Sequence, residues 1–147
     1  MRSATRDLRA RHGRYRFRAR SDANGLVGAN ARRVKIFAER VAERRRELEA
    51  AVAAFVAVCR RRPDVRAVFA FGSFASGEIG PRSDLDLLVI RETSIVGIER
   101  GTDLAAEAGL GIALDLIVVT PAEYRDRLPT TSFGRTILAT ARVVYAA

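Results

Sequence analysis

The sequence predicts an α/β domain of two layers, a small mixed β-sheet with helices packed mainly on one side. Three observations carry this expectation. Apolar, β-branched runs recur at 65–71, 85–90 and 112–119 and read as strands. Long amphipathic or capped stretches stand before and between them and read as helices. The resulting order is helix, strand, strand, helix, strand, helices, strand, which two layers accommodate without crossed connections. The chain has 147 residues, 48% of them hydrophobic, enough for one domain with a real core.

The front of the chain differs from the rest. Residues 1–62 carry 18 Lys/Arg against 6 Asp/Glu, whereas residues 63–147 carry 8 against 11. Lys35 is the only lysine. Residues 1–28 are expected to form an Arg-rich arm without packed structure, ahead of a single domain at 29–147. Tyr15 and Phe17 sit among arginines, so the arm could draw in nucleic acid by phosphate attraction and base stacking. A solvated tail, or a translation start downstream of it, accounts for the same composition.

Asn24-Gly25 and Gly28 mark an expected break. From 29 to 62 the apolar residues Val34, Phe37, Val41, Leu48, Val52, Phe55, Val56 and Cys59 fall largely at three- and four-residue steps, as in one helix or two joined near Arg44. Pro63 ends it. The core at 63–147 opens with strand 65–71, bounded by Pro63-Asp64 and Gly72-Ser73. A turn of helix at 74–78 and a loop at 79–83 lead to strand 85–90. A helix over 94–108 is closed by Gly109 or Gly111. After strand 112–119, Thr120-Pro121 looks like an N-cap with proline in the first turn. Pro129 breaks that helix. A last helix at 132–140 leads to a terminal strand at 142–145.

The chemistry concentrates in Phe69 to Val89. Gly72 lets the backbone turn tightly and approach a ligand, and Ser73 offers a hydroxyl and an N–H to a phosphate oxygen. Asp84 and Asp86 lie two apart on a strand and so share a face. Two such carboxylates repel unless a cation sits between them, and Mg²⁺ suits oxygen ligands completed by substrate phosphates. Asp115 is the one charge in an apolar strand, and burial there would be costly without a metal or a partner, so it is the natural third ligand. Three carboxylates could hold two Mg²⁺ ions for in-line displacement at phosphorus. Taken singly, each feature has a plainer reading: an ordinary Gly-Ser turn, an exposed Asp86, an Asp115 paired with an arginine. Arg82 could reach a triphosphate or be a solvated loop charge.

Gly72-Ser73, ten residues, Asp84-x-Asp86 and a later strand Asp115 together resemble the nucleotidyltransferase superfamily related to DNA polymerase β. The resemblance is closest to the minimal nucleotidyltransferases, small bacterial proteins often paired with a helical partner in toxin–antitoxin modules. It covers roughly 65–147. It implies a Mg²⁺-dependent transfer of a nucleoside monophosphate, AMP from ATP in the first instance, to an acceptor hydroxyl such as a tyrosine of a cognate toxin. Gly72 and Ser73 would hold the triphosphate, and Asp84, Asp86 and Asp115 the metals. A small-molecule (antibiotic) nucleotidyltransferase and a non-catalytic antitoxin are the alternatives.

Composition excludes several other classes. One cysteine and one histidine leave no zinc set, and Cys59 reads as a buried thiol. No apolar run is long enough to cross a membrane and no signal segment is visible, so a cytoplasmic protein without membrane contact is expected.

Overall fold

The computed structural model describes residues 23–147. The expected nucleic-acid arm falls largely outside the described residues. The first element is a single helix, α1 (Ala23–Cys59), of 37 residues. It begins six residues earlier than expected and runs through Asn24-Gly25 and Gly28. A glycine in a helix interior costs about 1 kcal/mol relative to alanine, which weakens a helix without breaking it. No proline interrupts the helix before Pro63.

Four strands follow the helix into one sheet: β1 (Val65–Phe71), β2 (Leu85–Arg91), β3 (Leu114–Val119) and β4 (Arg142–Ala146). Their spatial order is β3-β2-β1-β4. β1 runs antiparallel to β2 and β4, and β2 runs parallel to β3, so the sheet is mixed as expected. Strand alternation divides the side chains between two faces. Leu48, Ala51, Phe55, Val58 and Cys59 of α1 pack on Val65, Val68, Ala70, Leu85, Leu87 and Val89, with Leu104 closing the same core. The opposite face carries Phe71 and Leu88, packed with Ile137 and with Phe69, Ile117, Val119, Tyr124 and Leu128. The long helix lies on one side, as expected, and short helices cover part of the other because these alternate positions are apolar too.

A helix over 94–108 does not form in full. A 3-10 turn at Gly97–Gly101 precedes α3 (Thr102–Ala108). Gly97 has φ +71°, and a Cβ on Gly101 would come within 2.7 Å of Leu116 on β3. This tight approach to the sheet replaces the first helical turns. Gly109, in the left-handed region, caps α3. Thr120 and Glu123 form a full capping box for α4 (Pro121–Asp126), and the Thr131 hydroxyl caps α5 (Ser132–Thr140).

At the end of the sheet farther from Gly72, Arg91 is 93% buried as a side chain, at 7% exposure. Its guanidinium donates to Asp64 (2.5 Å), to both Asp103 oxygens (2.7 and 2.8 Å) and to the Arg100 carbonyl (2.7 Å). Arg62 joins the same cluster through Asp103 and Glu107. These bonds tie the end of α1, β1, β2 and α3 together. Among the described residues no helix is long and apolar enough to cross a membrane.

Candidate active site

The turn after β1 is the short helix α2 (Gly72–Ser76), with Gly72 at φ +64°. Only glycine adopts this conformation cheaply. Space imposes a second requirement, because a Cβ on Gly72 would collide with the Asp86 carboxylate. The Gly-Ser turn and the first metal-type carboxylate are therefore in direct apposition. β1 and β2 pair Phe71 with Asp86, which brings this about.

The third carboxylate arrives through the parallel pairing of β2 and β3. Their register sets Asp86 opposite Asp115. Asp86 and Asp115 thus lie on the same face at one end of the sheet, and Asp84 stands just before β2, close enough for its charge to act on Asp86. Asp115 is exposed, because β3 is an edge strand. The expectation of a buried charge there was wrong, and strand register, not desolvation, makes Asp115 a candidate ligand. None of the ion pairs among the described residues involves these three aspartates, so the arginine-paired alternative for Asp115 has no support. Asp86 is half-buried. Burial first, then the negative charges of Asp115 and Asp84, raise its carboxyl above the usual range. That cause is also what a cation would relieve.

As they stand, the carboxylates are neighbours short of a finished chelate: among the described residues no three His, Cys, Asp or Glu groups gather closely enough to hold an ion. The donor set nevertheless suits Mg²⁺, being hard oxygen ligands of like charge beside the Gly-Ser turn.

The loop before Asp84 is anchored to α1. Arg44 Nε donates to the Ser83 carbonyl (2.9 Å), and Ser83 Oγ accepts from the Gly80 N–H (2.9 Å). Arg44 was not singled out from the sequence, where it looked like one of many surface arginines. Arg82 lines a groove with Arg40, Glu43, Arg44 and Glu47 of α1.

A cleft of about 440 Å³ opens beside Gly72, Ser73 and Asp86. Its other wall is α5, which contributes Phe133, Thr136, Ile137 and Thr140. Sequence reasoning missed this wall. Phe133 stands four residues before Ile137 on the same helix face, a spacing that reads as ordinary core.

The family model for polymerase beta nucleotidyltransferases matches residues 55–145, more than half the chain. The chain belongs to this family. Its fold is similar to that of a candidate nucleotidyltransferase from Sulfolobus solfataricus, at 19% identity and a TM-score of 0.52, over 73% of this chain and 87% of that one. Two weaker likenesses are to a chain of a toxin–antitoxin complex with AMP-PNP (19% identity, 65% of this chain and 73% of that one, TM-score 0.47) and to a chain of the tri-AMPylated HEPN toxin in complex with MNT antitoxin from Shewanella oneidensis (15% identity, 68% and 73%, TM-score 0.43). Of the three, only the first scores high enough to bear on the fold. Comparison with curated proteins finds no match. Family and geometry agree that this is a nucleotidyltransferase-type domain, and its Gly-Ser turn and Asp-x-Asp sit together at one end of the sheet.

Proposed function

We propose that the protein transfers a nucleoside monophosphate, AMP from ATP in the first instance, to an acceptor hydroxyl. The observation that carries this reading is the register that faces Asp86 with Asp115 while Gly72 packs against Asp86. Gly72 and Ser73 offer the turn for the triphosphate. Asp84, Asp86 and Asp115 are the groups that would hold Mg²⁺, which when bound would neutralise charge on the phosphates. The acceptor oxygen attacks the α-phosphorus, and the bond from that phosphorus to the bridging oxygen breaks, releasing pyrophosphate. Asp115, exposed at the sheet edge, takes up or relays the hydroxyl proton. Among the described residues no lysine or arginine lines the cleft, which favours metal neutralisation of the phosphates.

The acceptor is the finer part of the proposal. Resemblance to the minimal nucleotidyltransferases favours a tyrosine on a cognate helical toxin. The open carboxylate edge, with Asp84 and Asp115 both exposed, suits a bulky acceptor presented by another protein.

The test is incubation with Mg²⁺ and each α-labelled nucleoside triphosphate, with and without the product of the neighbouring gene, followed by intact mass. A nucleotide-monophosphate gain on the partner, lost in Asp84→Ala, supports the proposal. Full neutralisation of a toxin by the Asp84→Ala/Asp86→Ala double variant would refute catalysis as its biological role.

A further inference from the structure

The active-site cleft has two chemically different ends. One end presents Gly72, Ser73 and Asp86. The other is the face of α5, where Phe133 is 62% exposed and Ile137 forms a buried floor at 2%. Among the described residues no cationic side chain lines either end. The hydroxyls of the α5 wall are also unsuited to phosphate. Thr136 Oγ1 donates to the Ser132 carbonyl (3.1 Å) and Thr140 Oγ1 to the Ile137 carbonyl (3.3 Å), so their protons are spent within the helix. What remains toward the cleft is oxygen lone pairs. Glu78, just beyond α2, also lines the cleft and adds a carboxylate. Acceptors beside an aromatic ring repel a phosphate and fit a flat group that carries N–H donors.

Phe133 is also the available ring. Tyr124 is stacked on Phe69, with centroids 5.7 Å apart and planes 19° apart. Phe71 is buried at 9%. The ring of Phe133 is held on a fixed support, because its neighbour Gly134 is packed so closely on the Leu128 carbonyl that a Cβ would overlap it. The Gly134 N–H is bound by the Thr131 hydroxyl at 2.9 Å. A large apolar ring exposed on a rigid helix at a ligand cleft is a stacking surface in search of a partner.

We infer that Phe133 is the stacking platform for the nucleobase of the triphosphate substrate, seating the nucleoside along α5 and its phosphates at Gly72 and Ser73. This rests on the nucleotide-transfer reading above. It adds a base subsite with a preference for bases that bear an amino group, adenine among them.

The test measures binding of a non-hydrolysable ATP analogue and of inorganic tripolyphosphate to the full chain in Mg²⁺. The wild type binds the analogue more tightly, and Phe133→Ala lowers analogue affinity about tenfold while leaving tripolyphosphate unaffected, the scale expected for one base–aromatic stack. Phe133→Tyr retains analogue affinity; Phe133→Leu, apolar but not flat, does not. The chain contains no tryptophan. Phe133→Trp therefore installs a single indole, whose fluorescence responds to the analogue and not to tripolyphosphate. Wild-type affinity for the analogue in Phe133→Ala, with the preference over tripolyphosphate intact, overturns the subsite and leaves nucleotide binding standing. Failure of the wild type to bind either ligand overturns the nucleotide-transfer reading itself.

Discussion

At the scale of single residues, Gly72 meets two demands at once, a left-handed backbone and contact with Asp86. Gly72→Ala is expected to cost about 1–2 kcal/mol in backbone strain and to displace Asp86. The expected result is a folded protein, by circular dichroism, with transfer reduced at least a hundredfold. Asp86 makes a second, opposite kind of prediction. Its carboxyl is raised in the folded state, so the fold binds more protons than the unfolded chain between the ordinary carboxylate range and that raised value. Stability therefore falls as pH rises through this window and stays reduced above it. Asp86→Asn should unfold at higher denaturant than the wild type at pH 7, with the gap closing in acid; a less stable Asp86→Asn at pH 7 contradicts this. The turn at Gly72 and the grouping of Asp84 with Asp86 were legible, because spacing and residue type carry them. The exposure of Asp115 was not, since a run of apolar neighbours looks the same on an edge strand as on a central one.

Among the elements, the strands were legible to within about two residues at their ends, because β-branched runs between Gly and Pro signals have few alternative readings. The stretch before α3 was not. Its 3-10 turn is set by contact of Gly101 with Leu116 and Val118, a tertiary constraint with no local signature. The Arg91 cluster is of the same kind. Four separate segments meet there, and only the folded sheet brings Asp64, Arg91 and Asp103 together. Hydrogen bonds from Arg91 hold the Asp103 carboxyl down at about 2. This depressed carboxylate contributes stability that is present above the ordinary Asp range and lost as pH falls toward 2. Arg91→Ala strands Asp64 and Asp103. Breaking a buried pair costs about 3–5 kcal/mol. Asp103 is 41% exposed and water screens it, which reduces the expected loss to about 2 kcal/mol. Denaturant titration of Arg91→Ala at pH 7 and pH 2.5 checks both parts: a clear loss at the first pH, and a smaller one at the second.

For the whole molecule, the least legible feature is how far α1 outruns the sheet. The apolar positions of α1 recur from Val34, Phe37 and Val41 to Leu48 and Phe55, and in the sequence nothing distinguishes the first of these from the last. The structure divides this apolar seam. Leu48 and Phe55 are fully buried, Val41 is half-buried, and Val27, Val34 and Phe37 are 58–69% exposed. A helix of 37 residues is about 55 Å long at 1.5 Å per residue, longer than a sheet of five- to seven-residue strands can cover. The front of α1 should therefore add almost nothing to the stability of the domain. The double substitution Val34→Ala/Phe37→Ala is expected to change stability by no more than about 0.5 kcal/mol, as for surface changes, and to shift the unfolding midpoint by about 2 °C at most. Leu48→Ala, farther along the same seam, should cost about 2–5 kcal/mol. Calorimetry on the two variants side by side separates the halves of the helix. A double variant as damaging as Leu48→Ala would mean that Val34 and Phe37 are packed in solution, and concentration dependence of the wild-type midpoint would then identify a second copy of the chain as their partner.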